Sequence, residues 1–188
     1  MQEQIRKELE ESILTKKQVI STLLPEIEAA AKKMIHAIQN GNKIFFVGNG
    51  GSAADAQHLA AELISRFLKE RKSLPAIALT TDTSILTAIG NDYGFDRIFA
   101  RQIEGLAKKG DIVFGISTSG NSQNILEGFI KAKIVGCTTI GMLGNDGGKI
   151  KDQADLSIII PSNSTPRIQE SHITIGHILC GLIEQECS

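Results

Sequence analysis

The chain has 188 residues, of which 41% are hydrophobic and 22% are charged, and its formal net charge at pH 7 is −1. This composition is typical of one globular domain with a hydrophobic core, and the absence of a basic excess argues against nucleic acid as a partner. No apolar run reaches the length that a membrane span needs. The three cysteines, Cys137, Cys180 and Cys187, have neither metal-binding nor redox spacing. We therefore expect a cytoplasmic protein with reduced thiols and no membrane partner.

Residues 1–40 show the periodicity of amphipathic helices. Pro25 should divide them into two helices, because proline lacks an N–H group and disfavours helix at Leu24. Gly41 is a suitable end for the second helix. This N-terminal helical arm either wraps its own subunit or forms an interface between subunits, and we favour the interface. The apolar residues that set the period are Ile5, Leu9, Ile13, Ile20, Leu23, Ile27, Met34, Ile35 and Ile38.

From Lys43 onwards, short apolar runs alternate with helical patterns. The runs, which are typical of strands buried on both faces, lie at 43–47, 75–79, 111–116, 137–143 and 156–160. Helical patterns cover about 52–70, 95–108, 122–135, 145–153 and 167–186. This alternation predicts an α/β fold over residues 41–188: a five-stranded parallel sheet in a doubly wound, three-layer αβα sandwich. Ligands of such sheets bind beyond the carboxyl ends of the strands.

A glycine-rich turn, Val47-Gly48-Asn49-Gly50-Gly51-Ser52, follows the first predicted strand and leads into a helix. Its backbone N–H groups and the helix N-terminus suit an anion such as a phosphate. The simpler interpretation is that Ser52 caps the helix, with Asp55 completing a capping box, and that the glycines only make a turn. A dinucleotide fingerprint, Gly48-x-Gly50-x-x-Ala53, is a weak rival, because no acidic residue follows until Asp82, beyond the usual ~20 residues.

Two pairs of polar residues follow this turn. His58 and Glu62 lie four residues apart on the predicted helix, so they share one face about 6 Å apart along the axis. A histidine and a carboxylate at this spacing can act as acid and base or hold a zinc ion, although an exposed ion pair is the simpler alternative. Asn91 and Asp92 lie in a polar turn, where an aspartate could hydrogen-bond to sugar hydroxyls.

A second turn, residues 117–122, follows the third predicted strand and is rich in hydroxyl groups. Hydroxyl and backbone N–H groups at a helix N-terminus can hold a phosphate without lysine or arginine. The alternative is a flexible loop in which a serine only caps the next helix. The position after a buried strand favours ligand binding. The four hydroxyl-bearing residues are Ser117, Thr118, Ser119 and Ser122.

The last predicted helix carries polar residues beside an apolar stripe. We expect His172, three residues before Ile175, to be packed or interfacial rather than catalytic. His177 is either a site residue or an ordinary half-buried histidine, and its spacing does not decide between them. Arg167, at the start of the helix, pairs with an acid or touches the ligand.

Together, these segments resemble the sugar isomerase (SIS) domain family and, within it, the bacterial phosphoheptose isomerases. The resemblance covers nearly the whole chain, and the combination of motifs is highly specific. Its carriers are residues 48–53, 56–63, 74–79, 90–92, 116–122 and 167–170. The chain departs from the pattern at Pro166, where some relatives have an acidic residue, and this departure bears on one sugar-hydroxyl contact.

The resemblance implies a role for each matching residue. The phosphate and sugar oxygens of a substrate would be surrounded by the hydroxyl groups of Ser52, Ser117, Thr118, Ser119 and Ser122, with Asn49, Gly50 and Gly51 lining the pocket. Asn91 and Asp92 would contact sugar hydroxyls, and Glu62 and Gln169 would also touch the substrate. One zinc ion per subunit would be bound by His58, Glu62, Gln169 and His177. Glu62 and His177 would be the catalytic acid/base pair, and which of them takes the first proton is left open.

The implied activity is the isomerisation of sedoheptulose 7-phosphate to D-glycero-D-manno-heptose 7-phosphate, a ketose–aldose conversion through an enediol. This reaction is the first step of nucleotide-activated heptose synthesis for lipopolysaccharide or capsule. The implied assembly is a homo-oligomer, a tetramer with the N-terminal helices at its centre. One alternative is a non-catalytic module of the same fold that binds a protein partner, such as a replication initiator, or senses a sugar phosphate. Such a module needs no acid/base pair, whereas this chain has one.

The spacing of Gln169 and His177 raises a geometric difficulty for this metal site. The two residues are eight apart, hence roughly 12 Å along a regular helix, whereas zinc lies about 2 Å from its ligand atoms. Both side chains can scarcely reach one ion from one straight helix. We therefore expect the pocket to lie at a subunit junction, with Gln169 or His177 supplied by a neighbour, unless Gln169 precedes the helix.

Overall fold

A computed structural model describes residues 1–187 of the chain. Within this range there are seven α-helices and five β-strands. The first two helices precede β1, and the other five are interspersed with the strands. The helices are α1 (Gln2–Thr22), α2 (Leu24–Gln39), α3 (Gly51–Ile64), α4 (Thr83–Tyr93), α5 (Ile98–Leu106), α6 (Gln123–Val135) and α7 (Thr165–Cys187). The strands are β1 (Ile44–Gly48), β2 (Ala76–Ala78), β3 (Ile112–Ser117), β4 (Thr138–Leu143) and β5 (Leu156–Ile159).

The five strands form one parallel sheet in the order β2-β1-β3-β4-β5. Alternate side chains of a strand point to opposite faces, so Ile44 and Phe46 pack with residues of α2, α3 and α7, while Phe45 and Val47 pack with α5 and α6. These three layers confirm the predicted doubly wound fold. Gly48 pairs with Ile116 in the register of β1 and β3, so the turns that follow these two strands emerge side by side.

The N-terminal arm consists of two helices that meet at Leu23, with Pro25 in the first turn of α2, as predicted. Helix α2 buries Ile27 and Met34 in the same core as the sheet. Helix α1 instead leaves large apolar side chains in solvent, among them Leu9 at 60% exposure. Within residues 1–187, no helix combines the length and the apolar character that crossing a membrane requires.

Two helical predictions in the second half of the fold differ from the structure. Helix α4 had no counterpart in the sequence pattern; it begins where Asp82 Oδ1 accepts a hydrogen bond from the Ile85 N–H at 2.9 Å. None of its residues is fully buried, and its large apolar residues, Ile85, Leu86 and Ile89, span little more than one turn, which is too short to show a helical period in the sequence. The helix predicted at 145–153 is wrong: the segment forms turns, with φ of 54° at Asn145, 84° at Gly147 and 51° at Gly148.

Helix α3 differs from its prediction at both ends. It begins at Gly51 with Gly50 as the N-cap, so Ser52 lies inside the first turn and the predicted capping box with Asp55 does not form. It ends at Ile64 instead of continuing to about residue 70. The Arg71 side chain ends it there by donating to the carbonyl oxygen of Leu63 at 2.8 Å, which satisfies a group that the helix leaves open.

Candidate active site

The turn after β1 depends on glycine for steric reasons. A Cβ atom on Gly48 would lie 2.3 Å from the carbonyl oxygen of Ser52, so the strand can turn this tightly into α3 only without a side chain. Gly50 has φ of 55°, a conformation that other residues rarely adopt. The turn therefore presents the N-terminus of α3, the positive end of the helix dipole, at the edge of the sheet.

The turn after β3 is organised by its own hydroxyl groups. Ser117 Oγ lies 3.1 Å from Ser122 Oγ and accepts a hydrogen bond from the Gly120 N–H at 3.1 Å. Ser117 is buried, while Ser119 is exposed. Ser122 occupies the N-cap position of α6, but its side chain makes no capping hydrogen bond. The turn thus offers hydroxyl groups and a helix N-terminus to the same region of space.

Two asparagines join the turns. Asn49 Nδ2 donates to Asn124 Oδ1 at 2.9 Å, and Asn124 Nδ2 donates back to Asn49 Oδ1 at 2.8 Å. Asn124 is buried in the first turn of α6. Sequence reasoning missed Asn124, because one asparagine on an otherwise apolar face gives no signal of its partner. The reciprocal pair fixes the spacing between the two candidate phosphate-binding turns.

A third segment supports the turn after β3 from behind. Asn145 Nδ2 donates to the Thr118 carbonyl oxygen at 2.9 Å, and the Ile150 N–H donates to the Gly120 carbonyl oxygen at 2.9 Å. A Cβ atom on Gly120 would lie 2.1 Å from the Gly147 carbonyl oxygen. The segment mistaken for a helix therefore acts as a support for the turn, and close backbone contact requires its glycines.

Three side chains meet between α3 and α7. His58 Nε2 lies 2.9 Å from His177 Nε2 and 3.2 Å from Glu62 Oε1. One candidate ligand atom from each residue lies within 4.8 Å of the others. Two nitrogens and one carboxylate oxygen are a donor set that suits zinc, whose ligand bonds are about 2 Å long. The group fits a metal ion.

The surroundings of His177 and His58 are partly apolar. The Phe67 ring stacks on the imidazole of His177, with centroids 5.7 Å apart and planes inclined by 24°. Burial raises the pKa of the Asp55 carboxyl group, one turn before His58, and this shift is partly opposed by His58 and His177. Sequence reasoning did not find Phe67, because the helix was expected to continue through it.

Gln169 lies at the other end of the contact between α3 and α7. Its Nε2 atom lies 2.9 Å from where a Cβ atom of Gly51 would be, which places the amide against the glycine turn. Seven residues on α3 and eight on α7 separate this contact from the His58–His177 contact, a rise of roughly 10–12 Å. Helix α7 is continuous from Thr165, so the alternative that Gln169 precedes the helix is wrong.

A neighbour was expected to supply either Gln169 or His177. Since His177 joins His58 and Glu62 within one chain, this group does not need His177 from a neighbour. Gln169 as a fourth metal ligand stays a prediction. If it binds the same ion, the helical spacing requires that it come from a second copy of the chain.

The remaining predicted residues lie outside this group. Asn91 and Asp92 are exposed in the last turn of α4, where Asn91 Nδ2 donates to Asp92 Oδ1 at 2.8 Å. The structure connects α4 to the glycine turn through a cavity of about 160 Å³ that Leu86 and Gly50 both line. Arg167 pairs with Glu8 of α1 at 3.0 Å and with the neighbouring Glu170 at 2.8 Å. Of the two alternatives for Arg167, the structure shows pairing with acids.

His172 is fully buried, as expected of a packed histidine, and its Nε2 lies 3.0 Å from the Leu143 carbonyl oxygen. Burial lowers the pKa of His172 to about 4, although the Leu143 contact opposes this shift. The imidazole is therefore neutral at pH 7, donates from Nε2 to the end of β4, and takes no part in the group around His177.

The fold and its paired turns define the class of the protein. Residues 9–144 match the model of the SIS domain family. A phosphoheptose isomerase from a Nitratiruptor species is 60% identical over 98% of this chain and 99% of the relative. One from Trichlorobacter lovleyi is 56% identical over 98% of this chain and 94% of the relative.

Solved structures agree with this class. The phosphoheptose isomerase GmhA from Neisseria gonorrhoeae matches with a TM-score of 0.93 at 44% identity, covering 98% of each chain. A phosphoheptose isomerase from Francisella tularensis matches with a TM-score of 0.95 at 40% identity, covering 97% of each. The chain belongs to the phosphoheptose isomerase branch of the SIS domain family.

Proposed function

We propose that the group of His58, Glu62 and His177, together with the two turns, is where this chain performs its isomerisation. The chain is a ketose–aldose isomerase that converts sedoheptulose 7-phosphate into D-glycero-D-manno-heptose 7-phosphate. The observation that carries the site assignment is a carboxylate and an imidazole on α3, the helix that begins at the glycine turn, held against the imidazole of His177 on α7. We assign the product to heptose synthesis for lipopolysaccharide or capsule.

The length of α3 suits the substrate. The phosphate and the reacting carbons lie at opposite ends of a seven-carbon sugar. Helix α3 rises about 10 Å between Gly51 and His58, a span comparable with an extended seven-carbon chain. The phosphate then binds at the turns, while carbons 1 and 2 lie beside Glu62 and His177. Hydroxyl contacts to the phosphate and sugar oxygens come from Ser52, Ser117, Thr118, Ser119 and Ser122.

Gln169 and the α4 residues supply the remaining substrate contacts in this proposal. Gln169, against Gly51, lies where it can donate to the phosphate end or to a nearby sugar hydroxyl. Asn91 and Asp92, exposed in the last turn of α4, contact sugar hydroxyl groups. Pro166 has no side-chain donor or acceptor, so it cannot make the sugar-hydroxyl contact that an acidic residue at this position would make.

The chemistry needs two proton transfers between carbon and protein. A base takes a proton from carbon 1 of the ketose, an enediol forms across carbons 1 and 2, and an acid returns a proton to carbon 2. A hydroxyl proton also moves from oxygen 1 to oxygen 2, so the overall change is an isomerisation. Glu62 and His177 between them accept and return the carbon-bound proton. Groups in this role contribute typically ~10²–10⁴-fold to the rate.

We assign one zinc ion per subunit to this group. His58, Glu62 and His177 would hold it through two nitrogens and one oxygen, and a bound ion would compete with proton uptake at those same atoms of Glu62 and His177. When bound, such an ion polarises oxygen atoms of the substrate and lowers the cost of the negative charge that develops on them.

We further propose that the chain works in the cytoplasm as a homotetramer with α1 at its centre. Support for the assembly comes from α1, where Ile5, Leu9 and Ile13 are each more than half exposed along one side. Exposed apolar stripes of this kind mark interfaces between subunits. Support for the location comes from Cys137 and Cys180, which are buried as free thiols.

The test is turnover of sedoheptulose 7-phosphate by the wild-type protein, with Glu62→Gln as the paired variant. The wild type should form the aldose phosphate, and a folded Glu62→Gln variant should lose at least ~10²-fold in kcat. Undiminished turnover in Glu62→Gln would contradict the assignment of the acid/base pair. Absence of wild-type turnover, with zinc supplied, would leave a non-catalytic sugar-phosphate module. Zinc content by atomic absorption checks the metal: a fully active, zinc-free wild type would remove zinc from the proposal.

A further inference from the structure

The segment between α3 and β2 is held by one buried carboxylate. Glu184, on α7, is 1% exposed. Its Oε1 accepts a hydrogen bond from the Phe67 N–H at 2.9 Å, and its Oε2 accepts from the N–H groups of Leu68 at 2.8 Å and Lys69 at 3.0 Å. Burial alone would raise the pKa of Glu184, but these three donors and Arg71 outweigh it and lower the pKa. The carboxylate is therefore ionised at neutral pH.

Arg71 extends this arrangement to the end of α3. Its side chain is 2% exposed, and its Nε lies 3.3 Å from Glu184 Oε1. The guanidinium group donates to the carbonyl oxygens of Glu62 and Leu63, each at 2.8 Å. Arg71 thus contacts the main chain of Glu62 on α3 and the side chain of Glu184 on α7. The buried ion pair connects the two helices that carry the acid/base residues.

Phe67 is the side chain through which this arrangement reaches His177. Its ring stacks on the imidazole of His177 at a centroid distance of 5.7 Å. A Cβ atom on Gly181, one turn further along α7, would lie 3.4 Å from Phe67 Cε1, so the ring also covers the main chain of that turn. Because Glu184 holds the Phe67 N–H, the carboxylate sets where the ring can lie against α7.

We propose that Glu184 and Arg71 are positioning residues for the acid/base pair, acting on His177 through the Phe67 ring and on Glu62 through its carbonyl group. The inference rests on the proposed roles of Glu62 and His177. The physical reason is that proton transfer requires both groups at a fixed distance from carbons 1 and 2. A misplacement of about 1 Å by a residue outside the chemistry can cost ~10²-fold in rate.

The experiment is a double-mutant cycle on the full-length protein with Glu184→Gln and Phe67→Leu. Glutamine keeps the shape of the side chain but removes the charge, and leucine removes the ring. Each single variant should lower kcat, per folded molecule measured by circular dichroism, by roughly 10-fold, while KM stays within about twofold because the turns are untouched. The double variant should lose no more than the larger single loss, because both changes act through the same ring.

Two controls separate positioning from general damage. Glu127→Gln removes the charge of another ion-paired helical glutamate, whose partner Arg97 is 3.0 Å away on the other side of the sheet, and should leave kcat and KM unchanged. Phe67→Tyr keeps the stacked ring and should retain wild-type kcat. If Glu184→Gln fails to fold, the comparison of kcat between Phe67→Leu and Phe67→Tyr still tests whether the aromatic ring positions His177.

Three results would overturn the inference. Multiplicative losses in the double variant, about 100-fold together, would mean that Glu184 acts independently of Phe67. A rise in KM without a fall in kcat would indicate substrate binding. Wild-type kcat in Phe67→Leu would show that the ring has no positioning role. If Glu62→Gln is inactive while Phe67→Leu is fully active, this inference fails and the proposed function stands.

Discussion

Gly48 is the residue at which the strand-to-helix turn allows least change. A methyl group there would overlap the Ser52 carbonyl oxygen at 2.3 Å, and the atom that must move is backbone. We expect Gly48→Ala to lower the free energy of unfolding by ~1–3 kcal/mol and to abolish most turnover. Gly105→Ala is the control, because nothing lies within 4 Å of the added methyl group. Unlike Gly48, Gly105 is exposed and lies in a helix, α5. Equal melting temperatures for the two variants would contradict this account of the turn.

His172 makes stability depend on pH. The unfolded chain takes up a proton near pH 6.5, whereas the folded chain takes it up only near pH 4, because burial disfavours the charged imidazole. Between these values the unfolded state binds more protons. The stability contribution is thus fully present above pH 6.5 and is lost as pH falls toward 4, by up to ~3 kcal/mol.

Urea unfolding of the wild type at pH 7 and pH 5 measures this loss. His172→Gln is the comparison, because glutamine cannot take up the proton and the variant should lose this part of the pH dependence. The same decrease between the two pH values in both proteins would show that His172 is not its source.

At the residue level, side-chain burial was easier to predict from the sequence than helix caps were. The buried character of His172 could be predicted from its place beside Ile175 on an apolar face. The position of Ser52 inside the first turn of α3 could not be predicted, because a serine just before a helical pattern is usually the N-cap. Here the preceding glycines let the helix begin one residue earlier. The Asn49–Asn124 pair was beyond sequence reasoning, because it joins positions 75 residues apart.

At the level of secondary-structure elements, the segment after β4 controls the shape of the turn after β3. Asn145 is held at φ of 54° and donates to the Thr118 carbonyl oxygen. We expect Asn145→Ala to raise KM for the sugar phosphate several-fold with little change in kcat, because alanine loses this bond and disfavours the conformation. Steady-state kinetics check it, with the exposed Asn163→Ala as control. An unchanged KM would show that the turn keeps its shape without this support.

All five strands could be predicted within one residue at each end, because each forms a short, largely apolar run. Burial on both faces accounts for the runs of β1 and β3. Helix α4 could not be predicted, because its large apolar residues span little more than one turn and show no helical period. The error at 145–153 has another origin: the segment was expected to be helical because it lies between two predicted strands, although Ile150 is its one apolar residue. Gly147 and Gly148 instead adopt positive φ to contact the neighbouring turn.

At the level of the whole molecule, α1 is the surface that a second copy of the chain should cover. Leu9 is 60% exposed on this helix, whereas Arg167 and Glu8 tie the helix to its own subunit. We expect Leu9→Lys to shift the protein toward smaller species in light scattering, because a buried, unpaired charge at an interface is costly. Ile134→Lys, at a 73% exposed position on α6, is the control and should leave the mass unchanged. Tetramers formed equally by both variants would place the interface elsewhere.

Helix α7 contacts four different parts of the molecule from one uninterrupted stretch of 23 residues. Arg167 contacts α1, and Gln169 contacts the glycine turn. His172 contacts the end of β4, and His177 contacts the imidazole of His58 on α3. Each residue added to a helix rotates everything beyond it by about 100° and shifts it by about 1.5 Å. A single insertion or deletion between Arg167 and Glu184 would therefore misalign several of these contacts at once. Over this stretch, the protein can change in evolution by substitution but not by length, so gaps between homologous chains should fall in the loops.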